Sequence, residues 1–366
     1  MTTAPLILLA AGGTGGHLFP AEALGVELIK RGLRVRLVTD ARALRYSGLF
    51  SKDMIDVVPS ETMRGRSPVA LARTAWMLAS GIVVAFNLMR RLKPSAVVGF
   101  GGYPTVPPLL AARLAGVPGI IHDANAVLGR ANRLLSRHVR AIATSLPGVL
   151  DRDPALAGKT TTVGTPMRPM VLEATTVAYT PPDTMGPFRL LVTGGSQGAR
   201  VMSDIVPGAI ERLEPALWSR LVLTQQVRQE DMARVRAVYD KLKINVELAP
   251  FFTDLPARLA ANHLVISRSG AGTVAELAAI GRPSILVPLP GAIDQDQFAN
   301  AGVLSQANAA LRIAQTDFTP DRLASEISAL VAEPTRLAAM AQAARSVGRL
   351  DAAERLADLV IKTAGI

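Results

Sequence analysis

The chain has 366 residues, of which 49% are hydrophobic and 4% aromatic, and its 40 Lys and Arg against 29 Asp and Glu give a net charge of +11. This length favours two domains, and the hydrophobic fraction excludes a disordered chain. The absence of Cys excludes disulfides, thiolate zinc sites, iron–sulfur clusters and thiol nucleophiles. Four His are too few to favour a multi-His metal centre.

The positive charge calls for an anionic partner or a solvated basic surface. Nucleic acid is disfavoured, because aromatic residues are few and no long run of Lys and Arg interleaves with them. An anionic membrane surface or a diphosphate substrate would account for the charge, as would a basic face that only meets water. Residues 1–5 lack the features of a signal peptide, which predicts a cytoplasmic location.

Short apolar runs alternate with helical patterns in the first half of the chain. Five runs predict buried strands, at residues 6–10, 34–39, 95–100, 119–122 and 141–144. Two of them lead into glycine-rich turns, at 11–17 and 101–104, before a helix begins. This alternation predicts a parallel sheet covered by helices on both faces.

The same pattern restarts after a Pro-rich stretch at residues 180–187. Three further strands are predicted, at 189–193, 263–266 and 284–288, and the first two lead into glycine-rich turns at 194–200 and 267–273. The tail, residues 334–361, is rich in Ala, Leu and Arg and predicts one or two helices. The fold class is therefore α/β, with two Rossmann-like, doubly wound domains facing each other across a cleft.

Residues 69–89 form a largely apolar stretch that has three interpretations. It is long enough to span a bilayer, but Arg73 lies inside it and strands that must share a sheet lie on either side. A crossover helix with an exposed apolar face and basic flanks would suit an anionic lipid surface. An ordinary buried helix is the third interpretation.

The four glycine-rich turns suggest a ligand that carries phosphates. Backbone amides in such turns approach anions at the positive end of a helix dipole, although each turn alone has a purely steric explanation. The first turn is not a dinucleotide fingerprint, because Leu18 stands where the last Gly of G-x-G-x-x-G belongs.

His17 lies at the end of the first turn, near a helix start. The helix dipole there disfavours the imidazolium, so the neutral imidazole suits a general base, while simple packing is the alternative role. Thr273 and Glu276 fit a capping box with Thr273 as the N-cap, and Ser196 is placed to cap a helix after Gly195. Arg168 either neutralises a leaving diphosphate or is a solvated loop cation.

No metal site is predicted. The D-x-D spacing of Asp294 and Asp296 recurs at Asp151 and Asp153, so this pattern has little specificity. A hard cation also needs more oxygen ligands than one such pair supplies.

The chain resembles the MurG family of bacterial peptidoglycan glycosyltransferases over nearly its whole length. The resemblance rests on six motifs in order: GGTGGHLFPA at 12–21, GGYP at 101–104, HDANA at 122–126, GTPMR at 164–168, GGSQGAR at 194–200 and SRSGAGT at 267–273. It implies a fold of the glycosyltransferase B type. It also implies an acceptor and membrane-associating domain at 1–165, a linker at 166–187, a UDP-GlcNAc-binding domain at 188–345, and a C-terminal helix at 346–366 that packs back on the first domain.

The resemblance implies that GlcNAc is transferred, with inversion, from UDP-GlcNAc to the C4 hydroxyl of a polyprenyl-diphosphate-linked muramoyl-pentapeptide. His17 would be the catalytic base. The residues implied to bind the donor nucleotide and its sugar are Thr14, Gly15, Gly16, Asn125, Arg168, Ser196, Phe252, Ala271, Gly272, Thr273, Glu276 and Gln297. Gly102 and Tyr103 would receive the acceptor diphosphate.

The implied setting is the cytoplasmic face of the bacterial inner membrane, with the protein bound peripherally to an anionic surface. No cofactor or metal is expected, and cell-wall or division proteins are candidate partners. Two other functions would fit the same features: a UDP-GlcNAc 2-epimerase-like enzyme of the same fold, and a non-catalytic protein that binds lipid surfaces.

Overall fold

The computed structural model describes residues 4–41, 48–60, 67–151, 153–195, 198–291 and 295–366, without the side chains of residues 68–71. The chain divides into two compact units. The first comprises residues 1–168 and 350–366, and the second comprises residues 169–349.

The first unit contains a seven-stranded parallel sheet of order β3-β2-β1-β4-β5-β6-β7. Its strands are β1 Leu6–Ala10, β2 Arg34–Thr39, β3 Ile55–Val57, β4 Ala96–Gly99, β5 Gly119–Asp123, β6 Ala141–Thr144 and β7 Thr160–Thr162. Its helices are α1 Gly15–Lys30, α2 Pro68–Leu92, α3 Val106–Leu114, α4 Arg130–Leu135, α5 Pro154–Ala157 and, from the end of the chain, α15 Ala352–Ala364.

The second unit contains a six-stranded parallel sheet of order β10-β9-β8-β11-β12-β13. Its strands are β8 Phe188–Thr193, β9 Leu221–Gln226, β10 Asn245–Ala249, β11 Leu264–Ser267, β12 Ser284–Leu286 and β13 Ala310–Arg312. Its helices are α6 Pro169–Ala174, α7 Arg200–Glu211, α8 Pro215–Trp218, α9 Met232–Leu242, α10 Leu255–Ala261, α11 Ala271–Ile280, α12 Asp296–Gln306, α13 Pro320–Ala332 and α14 Pro334–Val347.

Both sheets reverse their strand order beside the first strand of the unit. In the first unit β1 pairs with β2 on one side and β4 on the other, and in the second unit β8 pairs with β9 and β11. Ligands of open parallel sheets bind outside the carboxyl ends of the strands at such a switch point. The predicted α/β, doubly wound class of both domains is confirmed, and each switch point is flanked by two of the four predicted glycine turns.

The segment after residue 168 is part of the second unit, whereas the resemblance implied a linker at 166–187. Helix α6 packs against α10 and α11, and the Arg345 guanidinium donates to the carbonyl of Thr175. The Tyr179 hydroxyl donates to the His263 carbonyl at 3.0 Å. A helix of six residues is too short to produce a clear periodic pattern in the sequence.

Helix α15 returns to the first unit. Its Leu356, Ala357 and Val360 are fully buried in the core on which α1 also packs. Arg31, next to the end of α1, pairs with Asp358 at 2.5 Å. The end of the chain therefore completes one face of the first sheet.

Within the described residues, one helix is long and apolar enough to cross a membrane, residues Ala72–Leu92 of α2. It packs on one side only: Ala85, Leu88 and Met89 enter the core, whereas Trp76 is 73% exposed and Val83 60%. The amide of Ser95 donates to the Leu6 carbonyl at 2.8 Å, so the chain rejoins the sheet directly after the helix. This packing fits a crossover helix with an exposed apolar face.

Candidate active site

The first switch point forms a glycine-lined seat for the imidazole of His17. A Cβ built on Gly12 would lie 3.2 Å from His17 Cδ2, one on Gly101 would lie 3.3 Å from Nδ1, and one on Gly102 would lie 3.4 Å from Nε2. Gly101 and Gly102 have φ of +92° and +78°, which side chains rarely adopt. These three glycines therefore leave the space in which the ring sits, at the carboxyl ends of β1 and β4.

Helix α1 begins at this seat. Thr14 is its N-cap in an extended conformation, and its carbonyl, rather than its hydroxyl, contacts the helix start by accepting from the amides of His17 and Leu18. Gly15 and Gly16 occupy the first turn, where a helix presents amides that have no partner within the helix. Thr14, Gly15, Gly16 and His17 thus surround one helix N-terminus, which favours negative charge and neutral imidazole.

Gly102 and Tyr103 follow β4 on the other side of this seat. Tyr103 starts a short 3₁₀ turn, and the Thr105 hydroxyl donates to the Gly102 carbonyl at 2.8 Å. These contacts fix the conformation of the second glycine turn.

Asp123, at the end of β5, organises the loop that carries Asn125. The carboxylate is 2% exposed and accepts from the amides of Asn125 at 3.0 Å and Gly129 at 2.8 Å. It also accepts from Asn132 Nδ2 at 2.9 Å. The bond to Asn125 is an Asx turn, and the local signal for it in the sequence is an Asp two residues before the Asn.

Arg168 lies at the end of the first unit, with its guanidinium 3.6 Å from the centre of the Phe19 ring. Phe19 belongs to α1, so this cation–π contact ties Arg168 to the helix that carries His17. Among the described residues, no acceptor lies within hydrogen-bond distance of the buried Nε. The guanidinium is therefore packed on a ring, which differs from a solvated loop Arg.

A buried histidine supports the segment that leads to Arg168. His122 Nε2 donates to the Gly164 carbonyl at 2.9 Å, and the Thr165 hydroxyl donates to Ser145 Oγ at 2.8 Å. Burial lowers the pKa of His122, which keeps this ring neutral and structural.

The second switch point lies between the ends of β8 and β11. Gly194 has no room for a side chain, since a Cβ there would lie 2.1 Å from the Ala199 amide nitrogen. The Gly194 amide donates to Gln226 Oε1 at 2.9 Å and the Gly195 amide to Thr193 Oγ1 at 3.3 Å. These two amides are used within the protein, so an anion bound here would need the donors that follow them. Ser196, the predicted diphosphate contact, lies outside the described residues.

Helix α11 supplies the other side of this switch point. It begins at Ala271 with Gly270 as its N-cap, so the predicted capping box with Thr273 as N-cap is wrong. The helix starts earlier because Gly270 takes the extended N-cap conformation, with φ of −61° and ψ of 146°. Ala271, Gly272 and Thr273 therefore form the first turn, and Glu276 lies one turn from Gly272 and Thr273 on the half-buried side.

Gln297 and its neighbours are fixed to the loop after β11. The Ser269 hydroxyl donates to the Gln297 carbonyl at 2.8 Å, and Gln297 Oε1 accepts from the Leu289 amide at 3.0 Å. The buried Arg268 donates to the carbonyls of Val287 and Pro288 at 3.1 and 3.0 Å. Because the Gln297 oxygen is engaged, its NH₂ group is the end of this side chain that suits a ligand oxygen.

Phe252 follows β10 and is 7% exposed. The Arg258 guanidinium lies 4.3 Å from the centre of its ring. With its ring covered in this way, Phe252 would offer a ligand its backbone rather than its side chain.

The chain is similar to known proteins along nearly its whole length. The chain matches the glycosyltransferase family 28 N-terminal domain over residues 7–144 and the family's C-terminal domain over residues 189–356. It is 87% identical, over 100% of both chains, to the UDP-N-acetylglucosamine–N-acetylmuramyl-(pentapeptide) pyrophosphoryl-undecaprenol N-acetylglucosamine transferase of Bradyrhizobium sp. strain BTAi1. The enzyme of the same name from Nitrobacter hamburgensis is 79% identical, over 100% of this chain and 98% of the relative.

Solved structures are also similar to this chain over nearly its whole length. The crystal structure of Acinetobacter baumannii MurG superposes with a TM-score of 0.77 at 29% identity, over 98% of this chain and 99% of that chain. A UDP-N-acetylglucosamine 2-epimerase superposes with a TM-score of 0.67 at 14% identity, over 99% of this chain and 97% of that chain, which shows a shared fold alone. The chain therefore has the glycosyltransferase B fold and belongs to glycosyltransferase family 28, and within that family to the MurG enzymes.

Proposed function

We propose that this chain transfers GlcNAc from UDP-GlcNAc to the C4 hydroxyl of a polyprenyl-diphosphate-linked muramoyl-pentapeptide, with inversion at the sugar carbon. This reaction is the conversion of lipid I to lipid II in peptidoglycan synthesis. The observation that carries the proposal is the 87% identity over the full length of a transferase named for this reaction. The chain is accordingly a UDP-GlcNAc-dependent N-acetylglucosaminyltransferase, a hexosyltransferase.

His17 is the proposed base. Inversion by one displacement requires that the acceptor hydroxyl lose its proton as its oxygen attacks C1 of GlcNAc and the bond from C1 to the UDP oxygen breaks. The imidazole takes that proton, and the electron pair of the broken bond leaves with the diphosphate. Support comes from the position of His17 in the first turn of α1, where the helix dipole favours the neutral ring that can accept a proton.

The donor nucleotide is proposed to bind at the second switch point. Ala271, Gly272 and Thr273 would present the start of α11 to the diphosphate, Glu276 would meet the ribose, and the backbone of Phe252 would meet uracil. Gln297 would donate its NH₂ to a sugar hydroxyl, and Ser196 would contribute at the diphosphate.

Several residues of the first unit also have proposed roles. Arg168 would offset the negative charge that develops on departing UDP, and Asn125 with the Thr14–Gly16 turn would contact the donor sugar. Gly102 and Tyr103 would receive the acceptor diphosphate.

Transfer is tested by UDP release from UDP-GlcNAc with and without a lipid-linked muramoyl acceptor. We expect release only when the acceptor is present, together with a disaccharide product. Conversion of UDP-GlcNAc to UDP-ManNAc without acceptor would replace the proposal with an epimerase. Vesicle binding without turnover of either substrate would replace it with a lipid-surface protein.

The protein is further proposed to act as a peripheral protein on the cytoplasmic face of the bacterial inner membrane. The exposed face of α2 supports this, because Trp76 and Val83 are seven residues apart and lie on one side of the helix. Arg73, Arg90 and Arg91 lie at its two ends and suit anionic headgroups, as does the net charge of +11.

Sedimentation with vesicles of phosphatidylglycerol and phosphatidylethanolamine tests this surface. Trp76→Glu should weaken vesicle binding about tenfold or more, because a charge replaces an apolar side chain at the lipid boundary. Met185→Glu is the matched control, since Met185 is 84% exposed in the second unit and should leave binding unchanged. Binding that survives Trp76→Glu, or resists a high-salt wash, would contradict peripheral attachment through α2.

A further inference from the structure

Strand β9 ends in two adjacent buried glutamines, Gln225 and Gln226. Neither is among the site residues that the sequence predicts. Their side chains point to opposite faces of the sheet, as successive strand residues do, and they bond to different parts of the second unit.

Every hydrogen-bonding position of the Gln226 side chain is used. Its Oε1 accepts from Thr193 Oγ1 and from the Gly194 amide, each at 2.9 Å. Its Nε2 donates to the carbonyls of Gly195 at 3.0 Å and Pro250 at 3.2 Å. A carboxamide has two acceptor sites and two N–H donors, so no capacity remains for a ligand.

These four bonds join two segments that belong to the proposed nucleotide site. Gly194 and Gly195 open the turn that leads to Ser196, and Pro250 precedes Phe252 by two residues. Gly194 and Gly195 have no side chains with which to fix this turn, and Gly195 has a φ of +84°. A buried amide from the neighbouring strand therefore fixes its backbone.

We infer that Gln226 is a positioning residue for the donor nucleotide. It holds Gly194 and Gly195, in the turn proposed to meet the diphosphate, at a fixed separation from Pro250, in the loop proposed to meet uracil. The inference rests on the proposed function, because it assigns the nucleotide to this switch point. Gln226 does not contact the nucleotide; it orders the two backbone segments that do, so that their ordering is not a cost of binding.

Gln225 provides a matched control. It is fully buried, its Nε2 donates to the Met202 carbonyl at 3.3 Å, and its Oε1 accepts from the Tyr239 hydroxyl. It contacts α7 and α9 rather than the glycine turn. Gln225→Met and Gln226→Met therefore remove the same chemical group from the same strand. Only Gln226→Met releases the backbone of the glycine turn and of Pro250.

The experiment measures the Kd of UDP by calorimetry, the KM of both substrates, and urea unfolding for each variant. Gln226→Met is expected to raise the Kd of UDP and the KM of UDP-GlcNAc about tenfold, with the acceptor KM within about twofold of wild type. Gln225→Met is expected to lower stability while the Kd of UDP stays within about twofold. A folded Gln226→Met protein with unchanged UDP affinity, or equal weakening by both variants, would overturn the inference.

A milder variant covers the case in which Gln226→Met does not fold. Thr193→Val removes one donor to Gln226 and the acceptor of the Gly195 amide at nearly constant volume, and should raise the Kd of UDP about threefold. Unchanged affinity in this variant would overturn the inference. Wild-type protein that fails to bind UDP would instead overturn the proposed nucleotide site, and the inference with it.

Discussion

The replacement Asp123→Asn tests how the fold fixes a residue of the proposed site. The carboxylate accepts four bonds. Its Oδ1 accepts from the amide of Asn125 at 3.0 Å and from Asn125 Nδ2 at 3.4 Å, and its Oδ2 accepts from the Gly129 amide at 2.8 Å and from Asn132 Nδ2 at 2.9 Å. An asparagine has only one oxygen, and its NH₂ group cannot accept. The new side chain should place that oxygen toward Gly129 and Asn132, because this orientation keeps the two shorter of the four bonds.

The lost bonds are then the two that hold Asn125. A hydrogen bond to a charged group contributes about 1.5–3 kcal/mol, and the two remaining bonds become neutral ones, so we expect unfolding to become easier by about 2–4 kcal/mol. Asn125, the proposed contact of the donor sugar, should also lose its fixed orientation. The KM for UDP-GlcNAc should therefore rise more than the KM for the acceptor.

Urea unfolding at neutral pH and initial-rate kinetics measure these two effects. Asp321→Asn is the control, because Asp321 is an exposed partner of Arg212 and such pairs contribute about 1 kcal/mol or less. Unchanged stability in Asp123→Asn would refute the role of the carboxylate in the loop. Lost stability with an unchanged KM for UDP-GlcNAc would refute the link to Asn125.

Three further predictions concern packing, pH and the Arg168 contact. Gly81→Ala should destabilise by about 2 kcal/mol or more in urea unfolding, because its Cβ would lie 2.2 Å from the Pro59 carbonyl oxygen, and a gain in stability would show that α2 is not held this tightly. Burial, followed by nearby Arg cations, lowers the pKa of His263 to about 4, so the unfolded chain binds its proton first as pH falls. Unfolding free energy should fall by up to about 3 kcal/mol between pH 6.5 and 4, and a pH titration of stability for His263→Asn should lack that slope. Phe19→Leu removes the ring beneath Arg168 and should raise the KM for UDP-GlcNAc about fivefold, a result that unaltered kinetics would contradict.

The strands and turns of the first half were predictable because their signals are local. Apolar runs at 6–10 and 34–39 coincide with β1 and β2, and glycines follow β1 and β4 as expected. Short apolar runs between glycines carry enough information for a parallel sheet, since both faces of such strands are buried.

Features that depend on distant partners were not predictable. The glutamines at the end of β9 resemble ordinary polar residues in the sequence, and only the fold brings Gln226 to the Gly194 turn, 32 residues away in the chain. The Thr273 capping box failed because the local motif competes with Gly270, which the fold selects as the N-cap. The Asp123 loop is an intermediate case, since its Asx turn is local and its bond to Asn132 is not.

The proposed mechanism depends most on the imidazole that α1 holds among three glycines. The decisive measurement is the steady-state kinetics of His17→Ala with UDP-GlcNAc and a lipid-linked muramoyl acceptor. We predict that kcat falls by about a hundredfold or more while the KM for UDP-GlcNAc changes by less than about threefold, since a base acts in the transition state. A kcat close to that of the wild type would show that another group removes the acceptor proton.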